Sequence, residues 1–433
     1  MSARPSPRRW PGAALEHAKA SPPCDAMREA LGLGTQGPLI LSGHQPQIWH
    51  AGVLAKYIAA GVCARHAGGQ AAWLVVDTDE VDPGAFWYPA PSPDGAARRV
   101  EVSLGTGHGP ACGRGVMTSP RGLPDPTPEY ESRVVHLIET LLRESDKATN
   151  AAEQVVRAYA PLVQEFIPAL PLVFASSLNA MPLFEELVSL MAADPRACIE
   201  AYNQAAAAVP QARIRPLEPD ELPLWRLEPG ARHPVRAGEL SPREITTLAP
   251  RALLLTALVR MGLCDLFIHG TGGEVYERVT DRWIGAWLGP EVRLAPSVMM
   301  TATLLPDLPP RVAPPTRQIN QVRQRERALR FDPSLVGDRA AAAKKAALLA
   351  EIQRLPRHSP ERRAAFAELH ALLATVRAEH APTIDRLRAH AASIAAGLAT
   401  DPAADRTLPF PLHAPEALRA LVRDVEALFI SPD

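Results

Sequence analysis

Residues 38–60 read PLILSGHQPQIWHAGVLAKYIAA. The stretch opens on a short apolar run, Pro38 to Ser42, with the length and character of a buried strand. Gly43 punctuates it, and a polar loop follows: His44, Gln45, Pro46 and Gln47. From Ala51 the spacing turns helical, with Val53, Leu54, Tyr57, Ile58 and Val62 expected on one face. Strand, glycine-containing loop and helix form the first half of a βαβ unit. In such units a ligand sits at the carboxyl end of the strand, against the helix N-terminus. That position carries His44, Gln45, Gln47 and His50, with Lys56 further into the helix. A solvated turn is the ordinary explanation of one polar loop. Two histidines and two glutamines at the first strand end set the functional explanation beside it.

Further strands follow outward from this stretch. Ala71 to Asp77 is a second buried strand, running into Thr78, Asp79, Glu80, Val81 and Asp82, so four carboxylates gather at its end. Leu170 to Ala175 is a third strand, and Pro182 then opens a helix, a position that tolerates proline. Asp265 to His269 is a fourth strand. It runs into Gly270-Thr271-Gly272-Gly273 and a helix from Glu274 to Leu288. This turn lets backbone N–H groups approach a ligand, but it is neither GxGxxG nor a P-loop. Arg293 to Leu305 holds one more strand, and Leu224 to Leu227 a small one. The ends of the four main strands are expected on one edge of one mostly parallel sheet.

The intervening segments read differently. Residues 1–36 read as an N-terminal arm with a short helix near Asp25 to Leu31. Residues 84–128 read as an irregular excursion with a strand at Arg99 to Leu104, followed by helical material from Glu129. Together they make an insertion at about 84–168 in a Rossmann-like core spanning 37–316. Residues 317–400 read as a helical hairpin, with Phe366, Leu369, Leu373 and Val376 at coiled-coil spacing. His370, His380 and His390 fall ten residues apart, each roughly 80° round a helix from the last, so they share no face. Residues 401–433 return to the core, and Pro415 opens a last helix. The fold class expected is α/β: a Rossmann-like, mostly parallel sheet with helical insertions and a C-terminal helical hairpin.

Composition bounds the function. A net charge of −1 over 433 residues offers no basic field for nucleic acid, and 5% aromatic residues offer few stacking platforms. No run of about 18 apolar residues exists, so no membrane span is expected. The N-terminus lacks a long apolar segment and reads poorly as a signal peptide. Five separated cysteines without a CxxC pair support neither a zinc site nor a disulfide framework. A cytoplasmic protein with a small-molecule substrate is the expectation.

The order of these segments resembles the cysteine-adding enzymes of bacillithiol biosynthesis, a branch of the proteins with class I tRNA-synthetase-like Rossmann cores. SGHQPQIWHAGVLAKY is similar to the family's Thr-Gly-Gln-Gln segment with its following Gly-Pro-Leu-Tyr and Lys. WLVVDTDEVD is placed like the strand that ends in Glu-Asp-His-Asp. LSPREITTLAPRALLLTAL is similar to the Ser-Pro-Asn-Val-Leu-Leu-Arg-Pro segment, and DLFIHGTGGEVYERV to the Gly-Gly-Pro-Gly-Glu-Ile-Ala-Tyr loop. His44 stands where the family has the first Gln of Gln-Gln, the acidic run lacks the family's His, and the fourth loop lacks its Pro.

The resemblance implies an amide-forming ligase that joins the carboxyl of cysteine to the amine of a glucosaminyl-malate acceptor. It implies a site for an adenine nucleotide (ATP or ADP), Mg²⁺ held by Asp77 and Asp79, and a homodimer formed through the helical hairpin. Anionic charge would meet His44, His50, Arg251 and the backbone of Gly270 to Gly273. His44 or Asp79 would serve as the general base. Gly43, Gln45, Lys56, Asp77, Arg251, Gly270, Gly272, Gly273, Glu274 and Tyr276 complete the expected binding set. Two other readings stand: a nucleotidyltransferase-like enzyme on the same core, and a non-catalytic dimeric metabolite-binding protein. Asp77-Thr78-Asp79 also fits the Asp-x-Asp of metal-dependent glycosyltransferases, on three residues alone.

Overall fold

In this computed structural model the described residues are 1–21, 25–93, 97–105, 107–120, 122–240, 242–309, 321–322, 324–326, 330–336, 338–357 and 359–430, with the backbone alone for 242–244, 336 and 393–400. Cys24, Ser241 and the expected start of the hairpin at Arg317 lie outside them. The strands, in chain order, are β1 (Ser2–Arg4), β2 (Leu39–His44), β3 (Gln70–Val75), β4 (Ala85–Pro91), β5 (Ala97–Ser103), β6 (Leu172–Phe174), β7 (Glu221–Glu228), β8 (Ala231–Arg236), β9 (Leu248–Pro250), β10 (Leu266–His269) and β11 (Ser297–Thr301). The first nine helices are α1 (Trp10–Ala20), α2 (Asp25–Ala30), α3 (Ala51–Ala67), α4 (Pro128–Arg143), α5 (Ala151–Val163), α6 (Pro182–Ala193), α7 (Pro195–Ala208), α8 (Ala252–Gly262) and α9 (Gly273–Leu288).

The central sheet has six strands in the order β1-β11-β10-β2-β3-β6. All neighbours are parallel except β1, which runs antiparallel on β11. The four strands expected to share an edge, at 38–42, 72–77, 171–175 and 265–268, are the adjacent β2, β3, β6 and β10, and their carboxyl ends lie together. The chain steps from β2 to β3 and β6 in one direction, then crosses back to β10 and β11. The gap between β2 and β10 is therefore the topological switch point, where an open α/β sheet leaves a crevice at its carboxyl edge.

The βαβ unit β2-α3-β3 forms as its pattern predicts, but α3 is not amphipathic. Fourteen of its 17 residues are buried. It packs on β2, β3 and β11 and is covered by α1 and the C-terminal helix Pro415–Ile430, so every face is apolar or small. His50 caps its start, its Nδ1 accepting from Gly52 N at 3.0 Å, and Gly68 at φ 63° ends it. On the opposite sheet face Leu39, Leu41, Ala72, Leu74 and Phe267 join the core built from α6 to α9. The alternation of β2 thus sends Leu39 and Leu41 one way and Ile40, Ser42 and His44 the other.

The N-terminal residues differ from the expected arm. They supply edge strand β1, and Trp10 and Ala14 of α1 are fully buried. Arg28 of α2 donates through Nη2 to Asp265 at 2.6 Å and through Nε to Leu263 O, while Leu39 N also donates to Asp265. These bonds tie α2 to the starts of β2 and β10. The insertion is more regular than expected: β4 and β5 form an antiparallel hairpin and α4 and α5 follow. β7, β8 and β9 form a separate three-stranded sheet.

The chain divides into two compact units, residues 1–306 with 406–433, and residues 307–405. In the second, helices Arg339–Arg354 and Pro360–Glu379 pack over Leu348, Ile352, Ala365, Leu369 and Leu373. A coiled-coil stalk is not shown. Leu369, Leu373 and Val376 turn inward, but Phe366 is 41% exposed and Ala365 takes the inner place. His380 ends the second helix, and a third runs from Ala381 to Thr400.

Candidate functional site

Gly43 and His44 end β2 at the switch point, with His269 ending β10 beside them. A side chain at Gly43 would place its Cβ 2.5 Å from Leu74 O, so only glycine allows β2 and β3 this approach. Lys56 reaches back from α3 and donates to Gly43 O at 2.7 Å. It is 5% exposed, lies 5.5 Å from the Trp73 ring centroid, and its ammonium is pushed down to about 7 by burial. Burial and the charge of Lys56 also push the His44 imidazole down, to about 3.

The two loop histidines face one cavity of about 460 Å³, together with Gln47 and Val53. The β4–β5 hairpin closes it with Phe86, Trp87, Arg99 and Glu101, and Thr407 and Pro409 complete the wall. The ring bonds assign the two imidazoles opposite roles. His44 Nδ1 faces Gln45 O at 3.2 Å, and a carbonyl only accepts, so this nitrogen carries the proton and Nε2 is an acceptor. His50 Nδ1 accepts from Gly52 N, so its neutral ring carries the proton on Nε2. Arg99 stacks on Trp87 at 5.0 Å and pairs with Glu101 at 3.1 Å. Cation and anion therefore stand side by side on the wall that faces the histidines.

The acidic run does not join them as free carboxylates. Asp77 is 2% exposed and accepts from both the N–H and the hydroxyl of Ser176, fixing the segment after β6. Burial raises its carboxyl above the ordinary range, against those bonds. Asp79 accepts from Gln45 Nε2 at 3.0 Å and pairs with Arg232 at 2.7 Å. Asp82 binds Gly84 N and the Ser103 hydroxyl. Carboxylates at this turn are consumed by donors the fold brings beside them, so Gln45 is a strut to Asp79. Asp77 and Asp79 do not fit Mg²⁺ as expected. Among the described residues no group of three or more His, Cys, Asp or Glu stands ready to hold a metal ion.

Arg251 belongs to the small sheet. It pairs with Glu221 at 2.7 Å, donates to Leu224 O and stacks on Trp225, whose ring also meets Arg232. It is not among the side chains lining the His44 cavity. The glycine turn divides. A Cβ at Gly273 would strike the His269 ring at 2.2 Å, so this glycine serves packing. At Gly270 the nearest atom would be Lys56 Cδ at 3.9 Å, and at Gly272 Tyr276 Cε2 at 3.7 Å, so neither is required by its neighbours. Glu274 lines a second cavity of about 560 Å³ between α9, β11 and β1, and Tyr276 is 43% exposed. His269 Nε2 stands 2.9 Å from Glu277, which also binds Arg260. Burial lowers the His269 imidazole, with Glu277 opposing.

No family model matches this chain, and no curated protein matches it. The chain has an α/β fold with a mostly parallel central sheet. Sequence reasoning missed Trp87, Arg99, Glu101 and Thr407. The signal for three of them was present: Phe86-Trp87-Tyr88 is an aromatic run, and Arg98 to Ser103 alternates charge with Val100 and Val102, the pattern of a half-exposed strand.

Proposed function

We propose that this chain is an amide-forming ligase of a small metabolite, of the kind its segments resemble: an enzyme that adds cysteine to an amino-sugar acceptor. One observation carries the reading. At the carboxyl edge of the sheet a cavity is lined by His44, with an acceptor nitrogen, and His50, with a donor nitrogen, opposite the Arg99–Glu101 pair. A substrate bearing both an ammonium and a carboxylate matches that pair, each group meeting its opposite charge.

In this reading Arg99 and Glu101 bind and orient the amino acid. His44 Nε2 accepts from the attacking amine. An imidazole held at about 3 keeps a proton poorly at neutral pH, so His44 aims the amine lone pair more than it stores the proton. His50 donates to the oxygen on which charge develops. An adenine nucleotide, when bound, supplies activation of the carboxyl group. The helices at 339–400 are proposed as the surface that pairs two chains.

A metabolite-binding protein without turnover is the second reading. The neutralised Asp79 favours it, because the strand-end carboxylate expected as a base is bound to Arg232.

Purified protein supplied with cysteine, glucosaminyl-malate and ATP tests the proposal, with the condensed thiol read by mass spectrometry. The ligase reading expects product, and a thiol profile of cells lacking the gene that shows its loss. Ligand binding without product supports the second reading. Neither binding nor product sinks both.

A further inference from the structure

The second cavity, of about 560 Å³ between α9, β11 and β1, shares no lining residue with the histidine cavity. One face of α9 forms its long wall. Glu274, Glu277, Arg278 and Asp281 recur there at helical spacing, and Ile284 and Gly285 continue the same face. From Glu274 to Gly285 that wall runs about 16 Å along the helix axis. Its charges thus occupy the first part and its apolar groups the last. The segment that leads from the end of α9 back to β11 adds Val292, Leu294 and Pro296 at the apolar end. Arg4 of β1 pairs with Met299, further along β11 toward the edge at which α9 begins, so it stands toward the charged end.

The charges do not cancel locally. Glu277 and Asp281 are held by Arg260, which is 3% exposed and also donates to Ala295 O at 2.8 Å. Among the described residues the side chains of Arg4, Arg278 and Glu274 have no such partner. Two guanidiniums therefore face the cavity against one carboxylate. Gly285 adds an independent observation. Glycine inside a helix is unfavourable relative to alanine, and a Cβ at Gly285 would meet nothing within 4 Å. No neighbour requires the glycine, and what it leaves is room at the apolar end of the cavity.

We propose that this cavity binds an acyl carboxylate, an apolar chain lying along α9 past Gly285 with its anionic end at Arg278 and Arg4. The length of the wall suits a chain, its apolar end removes that chain from water, and the unpaired guanidiniums match the carboxylate. This goes beyond the ligase reading, because the site and its ligand are separate from the histidine cavity.

Titration calorimetry of the full chain at pH 7 tests it, with sodium decanoate in one arm and decylammonium chloride, a cation of similar length, in the other. Saturable binding of decanoate, at least tenfold tighter than that of decylammonium, is the expected result. Gly285→Leu fills the apolar end and is expected to weaken decanoate binding at least tenfold, with a Tm no lower than that of the natural protein. Arg278→Glu, at an exposed position, is expected to weaken it about tenfold. No decanoate binding, equal or tighter binding of decylammonium, or an unchanged decanoate affinity in either variant overturns the proposal. Should the leucine variant fail to fold, Gly285→Ala takes its place, with a higher Tm and a weaker decanoate affinity expected; an unchanged affinity there overturns the proposal equally. Because no turnover is measured, this site can fail while the ligase reading stands, and the reverse.

Discussion

His44 and Lys56 show how burial changes what a side chain does. Both were legible as candidate residues from their place after the first strand, but their protonation was not, because the burial that pushes both groups down comes from elements distant in the chain. Burial pushes the Lys56 ammonium down to about 7 in the folded chain, while the unfolded chain leaves it at its ordinary value. Between those values the unfolded state binds the extra proton, so stability rises with pH. Denaturant unfolding between pH 7 and 9 is expected to show a gain of up to ~1.4 kcal/mol per pH unit from this group. Lys56→Met should flatten that rise; an equal slope in both proteins argues against a buried, neutralised lysine. For catalysis, His44→Ala is expected to lower turnover with the cysteine and amino-sugar pair by about a hundredfold. Its Tm should stay close to that of the natural protein. Full turnover in both His44→Ala and His50→Ala would place the site elsewhere.

Among the elements, the β4–β5 hairpin decides the shape of the cavity and β2 with β10 decides its place. Arg99 lies on an exposed strand face, so Arg99→Ala should leave folding intact while weakening cysteine binding at least tenfold by calorimetry. An unaffected affinity removes the hairpin from recognition. The opposite end of the same strands predicts a stability effect. Asp265 is fully buried against Arg28 and Leu39 N. Asp265→Ala leaves Arg28 buried without its anion, and a loss of about 3–5 kcal/mol is expected from chemical denaturation. A loss under about 1 kcal/mol would mean that water replaces the carboxylate there.

In the whole molecule, every side chain lining the histidine cavity belongs to the unit formed by residues 1–306 and 406–433. Arg406 donates to Thr301 and to Ala302 O, so the two ends of the intervening segment meet within that unit. A chain in which a short Gly-Ser linker replaces residues 307–405 is expected to fold and to bind the same ligands. If the helices at 339–400 pair two chains, light scattering of the shortened protein gives a monomer and the full chain a dimer. A dimer from both refutes that pairing.

Local pattern determined what local physics controls. The apolar run at 38–42, the turn at Gly43 and the helix after His50 are set by neighbouring residues, and the strands at 71–77, 170–175 and 265–269 follow from the same short-range periodicity. Their placement on one carboxyl edge followed too, because parallel strands joined by crossovers must all point one way. Which charges stay available was decided only by tertiary packing. Asp77 and Asp79 look alike in the chain, yet one is spent on Ser176 and the other on Arg232, about a hundred residues or more away. Arg251 is drawn to Glu221, and Tyr276 faces solvent. Arg99, at the start of a strand expected inside an irregular excursion, reaches the cavity because that strand pairs with β4. A carboxylate or guanidinium takes the strongest partner within a few ångströms, and sequence separation does not measure that distance.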